Sequence, residues 1–319
     1  MNSFRVRSSP RRRGLAALSL LLILTLWMGI AEAENVSAAV CADVTDPSPA
    51  ARQGLPETLG RYNPLFGKTL VAAGDSLTAG YSIAPDPETG IIPTYPVVAG
   101  CRNRMNVENL AINGAWMTSG RYSGSDVEGF SSYFDDEGFL PAEMDYFTIN
   151  LGANDWSYGV LGLMDDYCLL HFAATYYNAT AEQQTQAESA EDWIAKFVGS
   201  ESDTGISTWL GAWNTVLTYL RTNYPQTKIG ILVSYPCQDV EGAFAARLRE
   251  TLFQIADKYG YPTLDCGDPD QWFCVGYAEG LDPDIGNLIA DVYTLDRCHP
   301  NALGHEMTAD SYEAWLKGL

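Results

Sequence analysis

The sequence predicts an α/β fold, with a mostly parallel sheet and helices on both of its faces. Short apolar runs alternate along the chain with segments of helical periodicity, which is the pattern of parallel strands joined by helical crossovers. Several runs are apolar at successive positions, as expected of strands that are buried on both faces. The predicted strands are Leu70–Ala73, Val107–Ile112, Phe147–Leu151, Ile229–Val233 and Thr263–Leu264.

Three segments that follow these runs are predicted to be helices. In Ser207–Tyr224 the apolar residues lie at offsets of 0, 1, 4, 7, 8 and 11, which places them on one helical face. Glu241–Tyr259 repeats this pattern. The last helix, Ala302–Leu316, follows Asn301, a residue type that favours helix N-caps.

The first 33 residues are typical of a secretory signal peptide. Five arginines precede the uncharged apolar run Leu15–Ile30, which ends in the Ala-x-Ala pattern of residues 31–33. The run approaches the length of a membrane span, so an uncleaved anchor is the alternative. Because the apolar run ends in small residues of the type found at cleavage sites, we expect cleavage after Ala33. The product would be a secreted protein, extracellular or periplasmic, without stable membrane insertion.

The rest of the chain is expected to form one main domain. Residues 34–66 are mixed in polarity and contain several prolines, which predicts an irregular N-terminal arm. The domain then spans residues 67–319. Residues 156–205 are aromatic-rich at first and then polar, and we interpret them as an inserted helical cap.

The charge balance argues against a nucleic-acid partner. The formal net charge is −21, and loss of the leader with its five arginines and one glutamate makes it −25. A surface this acidic repels nucleic acid and anionic lipid and promotes solubility. The charge says little about a neutral substrate.

The cysteines favour disulfide bonds. In an exported chain, cysteines are usually paired, and an odd number leaves one over. A metal site is the alternative, but the sequence contains no Cys-x-x-Cys or His-x-x-x-His motif. The seven cysteines stand at positions 41, 101, 168, 237, 266, 274 and 298.

A glycine-flanked turn with two hydroxyl groups follows the first predicted strand. In LVAAGDSLTAGYS, residues 70–82, the apolar strand is followed by Ser76 and Thr78. Such a turn can hold a nucleophile, bind a phosphate or have no chemical role. The segment alone leaves these three possibilities open.

A serine nucleophile requires a base, and the base requires an orienting group. His171 lies in a segment where a packed or surface histidine is the more common interpretation, and His305 lies within the last predicted helix, where a polar helix residue is the more common one. His299 differs, because Asp296 precedes it by three residues and Pro300 biases it away from helical geometry. A carboxylate at this spacing can hold the imidazole, although a capping Asp beside an incidental His fits the same residues.

Acyl transfer also needs donors for the negative charge that develops on the carbonyl oxygen. Two strand ends offer them. The second predicted strand runs into Asn113 and Gly114, and the third into Gly152-Ala-Asn154-Asp155. Each segment taken singly is equally typical of a turn.

Together these segments resemble the SGNH hydrolase superfamily, also called GDSL lipases and esterases. The resemblance covers roughly residues 67–316 apart from the insertion. It implies a flavodoxin-like three-layer α/β/α fold around a mostly parallel five-stranded sheet, and hydrolysis of esters, often acyl or O-acetyl groups. The four blocks are Gly74-Asp-Ser-Leu77, Gly114, Gly152-Ala-Asn-Asp155 and Asp296-Arg-Cys-His299.

The resemblance also implies a role for each matching residue. Ser76 would be the nucleophile, His299 the general base and acid, and Asp296 the carboxylate that orients it. The oxyanion hole would consist of the backbone N–H groups of Ser76 and Gly114 and the side chain of Asn154. No metal or cofactor is implied, and the substrate would be a small-molecule, lipid or acylated carbohydrate ester.

Two other functions fit parts of the sequence. A flavodoxin-like FMN-binding protein would use residues 76–80 as a phosphate loop, but this leaves Asn154 and the pair Asp296–His299 unexplained. A catalytically silent, carbohydrate-binding relative would use aromatic residues as a sugar platform. Those aromatic residues are Trp156, Tyr158, Tyr176 and Tyr177.

Overall fold

The computed structural model describes residues 39–40, 63–119, 128–155, 198–233, 242–266 and 291–319. All of them belong to one structural unit, Ser37–Leu319. The predicted signal peptide, most of the arm, His171 and the proposed aromatic platform lie outside the described residues. Of the predicted insertion, only residues 198–205 are described.

The described strands form one sheet in the order β1-β3-β2-β4-β5-β6. Strands β2 to β6 are parallel, which confirms the predicted five-stranded parallel sheet, and their order is that of flavodoxin-like folds. The short β1, from the predicted arm, pairs antiparallel with β3 at the edge. The strands are β1 (Ala39–Val40), β2 (Thr69–Gly74), β3 (Asn106–Asn109), β4 (Tyr146–Asn150), β5 (Lys228–Val233) and β6 (Thr263–Asp265).

The structure gives the bounds of five α-helices. The three predicted helices are present as α3, α4 and α5, and α5 begins after Asn301, whose side chain accepts a hydrogen bond from Gly304 N–H. Among the described residues no helix is long and apolar enough to cross a bilayer. The helices are α1 (Ser76–Ala79), α2 (Tyr95–Asn103), α3 (Trp209–Asn223), α4 (Gly242–Tyr259) and α5 (Ala302–Gly318).

Helices cover both faces of the sheet, which confirms the three-layer sandwich. Successive residues of β2 face opposite layers: Val71 packs in a core with residues of α3 and α4, and Leu70 packs in a core with residues of α2 and α5. Both side chains are fully buried. Burial on both faces explains why these strands are apolar at successive positions rather than at alternate ones.

Strand β3 and helix α2 are among the elements that differ from the sequence prediction. Strand β3 ends at Asn109 rather than at residue 112, although the following residues stay beside β2, where Leu110 N–H donates to Ala72 O at 2.8 Å and Ile112 N–H donates to Gly74 O at 3.0 Å. Helix α2 was not predicted, since Pro96 and Gly100 are residues typical of turns. Gly100 is needed there for packing: a Cβ atom would lie 2.1 Å from Val107 Cγ2.

Candidate active site

The parallel register brings three loops to one edge of the sheet. Gly74 at the end of β2 is paired with Asn150 at the end of β4, and Asn109 at the end of β3 is paired with Ala72. The carboxyl ends of parallel strands are where ligands bind in open α/β sheets. The segments that contain Ser76, Gly114 and Asn154 all leave the sheet at this edge.

Ser76 is held in a short, tightly bonded turn. Asp75 caps α1, and its Oδ1 accepts a hydrogen bond from Leu77 N–H at 2.9 Å. Gly80 ends the helix with a φ of 81°, a conformation that favours glycine. The hydroxyl of Thr78 is buried and lies 2.9 Å from Tyr95 Oη. Of the two hydroxyl groups in the turn, that of Thr78 is therefore hydrogen-bonded within the core.

A chain of two hydrogen bonds links Ser76 to a carboxylate. Ser76 Oγ lies 2.9 Å from His299 Nε2, and His299 Nδ1 lies 2.7 Å from Asp296 Oδ2. With the ring proton on Nδ1 donated to Asp296, Nε2 is left to accept the hydroxyl proton of Ser76. The fold thus brings together three predicted residues from chain segments more than two hundred residues apart.

The loop that contains Asp296 is itself fixed. Thr294 and Pro300 form an antiparallel bridge, and between them the backbone of Arg297 adopts a φ of 64°. Asp296 Oδ1 accepts hydrogen bonds from the N–H groups of Cys298 at 3.0 Å and His299 at 2.7 Å. Partial burial acts to raise the pKa of Asp296, but the hydrogen bonds from the His299 ring and these two N–H groups outweigh it, so its pKa lies below its ordinary value.

The two predicted oxyanion segments contact each other. Gly114 has a φ of 77° within a turn in which Ala115 N–H donates to Ile112 O at 3.0 Å. Asn154 Nδ2 donates to Ala115 O at 2.6 Å. A side-chain amide has two hydrogens, so this bond fixes the Asn154 side chain while a second hydrogen remains for another acceptor.

Asp155 connects the same two segments. Its buried carboxylate accepts hydrogen bonds from Met117 N–H at 2.8 Å, Thr118 N–H at 3.2 Å and Thr118 Oγ1–H at 2.9 Å. Burial raises the pKa of Asp155 to about 6, although these three bonds act to lower it. Asp155 thus braces the loop after Gly114 against the loop that contains Asn154.

Asp75, which precedes the proposed nucleophile, carries a buried carboxyl group. It is fully buried, and its Oδ2 atom has no hydrogen-bond partner. Burial raises the pKa of Asp75 to about 7, against the lowering effects of Leu77 N–H and of His299, while the charge of Asp155 raises it further. Its burial could not be foreseen from local sequence, because it results from packing across the sheet edge.

His305 is a core residue and not the exposed polar helix residue that a helical position suggests. It is fully buried, and its Nδ1 accepts a hydrogen bond from Tyr95 N–H at 3.2 Å. Burial, and to a lesser extent His299, lowers the pKa of His305 to about 4. Among the described residues, no cluster of three or more His, Cys, Asp or Glu side chains is suited to hold a metal ion.

Tyr81 also contacts the site, and sequence reasoning missed it. Its ring centroid lies 4.6 Å from that of His299, with the planes inclined by 42°. In the sequence, the only indication that Tyr81 lies at the site is its closeness to Ser76 along the chain. The contact with a residue far away in the sequence depends on the folded geometry.

Comparison with known proteins identifies a family whose model matches most of the chain. Residues 72–307 match the model of the GDSL-like lipase/acylhydrolase family. No curated protein sequence matches the chain.

Several solved structures are similar to this chain at low sequence identity. A protein from Lactobacillus plantarum has a TM-score of 0.54 at 18% identity, over 79% of this chain and 98% of that chain. A GDSL-like lipase from Bacteroides ovatus has a TM-score of 0.45 at 16% identity, over 79% and 99% of the two chains. A family two carbohydrate esterase from Clostridium thermocellum has a TM-score of 0.44 at 14% identity, over 79% and 64%. The first of these supports the α/β/α fold.

The burial of Asp75 predicts a pH-dependent effect on stability. Its pKa is about 7 in the folded protein against an ordinary 3.8, so between these values the folded state holds a proton that the unfolded state has lost. The stabilisation from this proton is complete below the ordinary pKa and is lost as pH rises through the folded value. Asp75→Asn removes the effect and keeps an N-cap oxygen. Its unfolding free energy relative to wild type should therefore rise over this range, by up to roughly 4 kcal/mol.

Urea unfolding of both proteins between pH 4.5 and 8 measures this difference. Glu88→Gln, which removes an exposed carboxyl group, is the matched control and should run parallel to wild type. A constant difference between Asp75→Asn and wild type across the range would contradict the prediction.

Proposed function

We propose that this chain, which belongs to the GDSL-like lipase/acylhydrolase family and is a hydrolase acting on esters, cleaves carboxylic esters with Ser76, His299 and Asp296. The observation that carries the proposal is the unbroken hydrogen-bond chain between these residues, with separations of 2.9 and 2.7 Å. Serine becomes nucleophilic when an oriented base can remove its proton.

The reaction would proceed through an acyl-enzyme. His299 Nε2 takes the proton of Ser76 while Ser76 Oγ forms a bond to the carbonyl carbon of the ester. The tetrahedral intermediate collapses when the C–O bond to the alcohol breaks, and His299 returns the proton to the leaving oxygen. Water, deprotonated by His299, then attacks the acyl carbon, and Ser76 recovers the proton as the acid leaves.

Asp296 would hold His299 in the productive tautomer. Its lowered pKa means that it is ionised at neutral pH. An ionised carboxylate accepts the Nδ1 proton and stabilises the imidazolium that forms during proton transfer. The two backbone N–H groups on Oδ1 fix the carboxylate, so that Oδ2 is directed to the ring.

The developing negative charge on the carbonyl oxygen would be stabilised by three donors. These are the backbone N–H groups of Ser76 and Gly114 and the second amide hydrogen of Asn154. Support comes from the bond between Asn154 and Ala115 O and from the bracing by Asp155. Donors held in advance require no reorganisation when charge develops.

We further propose that the protein is exported and acts on a small neutral ester. The basic, apolar and Ala-x-Ala segments at the N-terminus support export. The seven cysteines support the same conclusion, because cysteines of exported chains are usually paired in disulfide bonds. The acidic charge disfavours nucleic acid and anionic surfaces, and membership of a lipase/acylhydrolase family supports a small-molecule, lipid or acylated carbohydrate ester as the substrate class.

Substitution of the nucleophile tests the function directly. Ser76→Ala should abolish hydrolysis of p-nitrophenyl esters from acetate to palmitate while leaving the circular dichroism spectrum unchanged, because the turn is held by backbone bonds and by Asp75. In wild type, preference for short chains would favour an acetylated carbohydrate or another small ester, and preference for long chains a lipid.

Ser82→Gly is the matched control for this experiment. It removes an exposed hydroxyl in the same segment, at a residue whose φ of 59° suits glycine, and it should retain wild-type rates. Full turnover by Ser76→Ala would exclude Ser76 as the nucleophile. A wild-type protein inactive on the whole series would favour the catalytically silent relative.

The oxyanion donor is tested separately. Asn154→Ala should reduce kcat by on the order of 10²–10³ with little change in KM, because the lost hydrogen bond acts on the charged transition state. Steady-state kinetics on p-nitrophenyl acetate measures both constants.

Asn223→Ala supplies the comparison for this substitution. Asn223 is an exposed amide at the end of α3, so its loss should leave kcat unchanged. If kcat of Asn154→Ala equals that of wild type, Asn154 is a turn residue only.

A further inference from the structure

The ring of Tyr81 lies against the imidazole of His299, and the mechanism proposed above gives it no task. The ring centroids are 4.6 Å apart. Tyr81 is 38% exposed, whereas the His299 side chain is 21% exposed. The phenol ring therefore forms part of the boundary between the imidazole and solvent.

The backbone ties Tyr81 to the residue that bears the proposed nucleophile. Tyr81 N–H donates to Ser76 O at 3.2 Å, and Ile83 N–H donates to Gly80 O at 3.0 Å. A Cβ atom at Gly80 would lie 2.6 Å from a side-chain carbon of Thr94, so the turn that leads to Tyr81 requires glycine. One short segment thus holds the backbone of both Ser76 and Tyr81, whose side chains contact the same imidazole.

The chemistry of the two rings gives this contact a consequence. An aromatic ring carries negative charge on its face and attracts a cation within about 6 Å of its centroid. The imidazole becomes such a cation when it accepts the proton of Ser76. Among the described residues, the other titratable groups that interact with His299 are Asp296 on its own loop, Asp75 at the start of α1 and His305 on α5.

We infer that Tyr81 is a positioning residue, whose ring restrains the His299 imidazole between Ser76 and Asp296 and stabilises the positive charge that the imidazole acquires. This inference rests on the proposed function. The ring makes the contact, so the hydroxyl of Tyr81 is not required for the effect.

Two substitutions separate the ring from the bulk of the side chain. Tyr81→Phe keeps the ring and should hold kcat within about twofold of wild type. Tyr81→Leu keeps an apolar side chain over the imidazole but removes the π face. It should lower kcat about 3–10-fold with KM unchanged, and move the acid limb of the kcat/KM profile to lower pH by about 0.4–0.7 unit, because the imidazolium loses stabilisation.

The profile of kcat/KM between pH 5 and 9 on p-nitrophenyl acetate measures both effects. Equal rates and equal acid limbs for Tyr81→Leu and Tyr81→Phe would overturn the inference, as would a change in KM alone, which would identify a substrate contact. If Tyr81→Leu has a non-native circular dichroism spectrum, Tyr81→Met replaces it under the same criteria.

His299→Ala separates failure of this inference from failure of the proposed function. If His299→Ala keeps wild-type turnover, the proposed function is wrong and the inference falls with it. If His299→Ala is inactive and Tyr81→Leu matches Tyr81→Phe, only the inference about Tyr81 is wrong.

Discussion

The parallel register between β2 and β4 is the constraint on which the rest of the site depends. Because Gly74 pairs with Asn150, the segments that contain Ser76 and Asn154 leave the sheet at the same level. The bond from Ile112 N–H to Gly74 O brings the loop with Gly114 to the same edge. A slip of one residue would turn buried side chains to the opposite face. Packing of the two helical layers on the sheet therefore fixes the pairing of the strands. This pairing in turn fixes the relative positions of the segments that form the site.

His299 reaches this edge on the loop that precedes α5. Helix α5 packs in the core that also contains residues of α2 and Leu70 of β2. Helix α5 packs on the sheet through Tyr312, whose hydroxyl lies 2.6 Å from Thr148 Oγ1 on β4.

The turn that contains Ser76 is held in place at a cost in folding free energy. Burial of an acceptor without a partner, as at Asp75 Oδ2, costs about 1–3 kcal/mol. Asp155 is equally buried, but three hydrogen bonds offset its cost.

Periodicity was sufficient to predict the five parallel strands, the last three helices and the Asn301 cap, because these features depend on local pattern. Helix α2 was missed because Gly100 is explained only by its contact with Val107, which no local rule contains. From the residues alone Ser76 and Thr78 were equivalent, and the resemblance to SGNH hydrolases distinguished them. The physical difference is the bond from Thr78 to Tyr95. The burial of Asp75 and His305 likewise depends on packing between distant segments.

Reaction with a fluorophosphonate tests the central claim most directly, namely that Ser76 is activated by His299. An activated serine oxygen forms a bond to phosphorus and displaces fluoride, so the site of reaction can be read by peptide mass spectrometry. One adduct is expected, on Ser76, and this adduct should be absent in His299→Ala. An adduct on Thr78 or elsewhere, or undiminished labelling of Ser76 in His299→Ala, would contradict it.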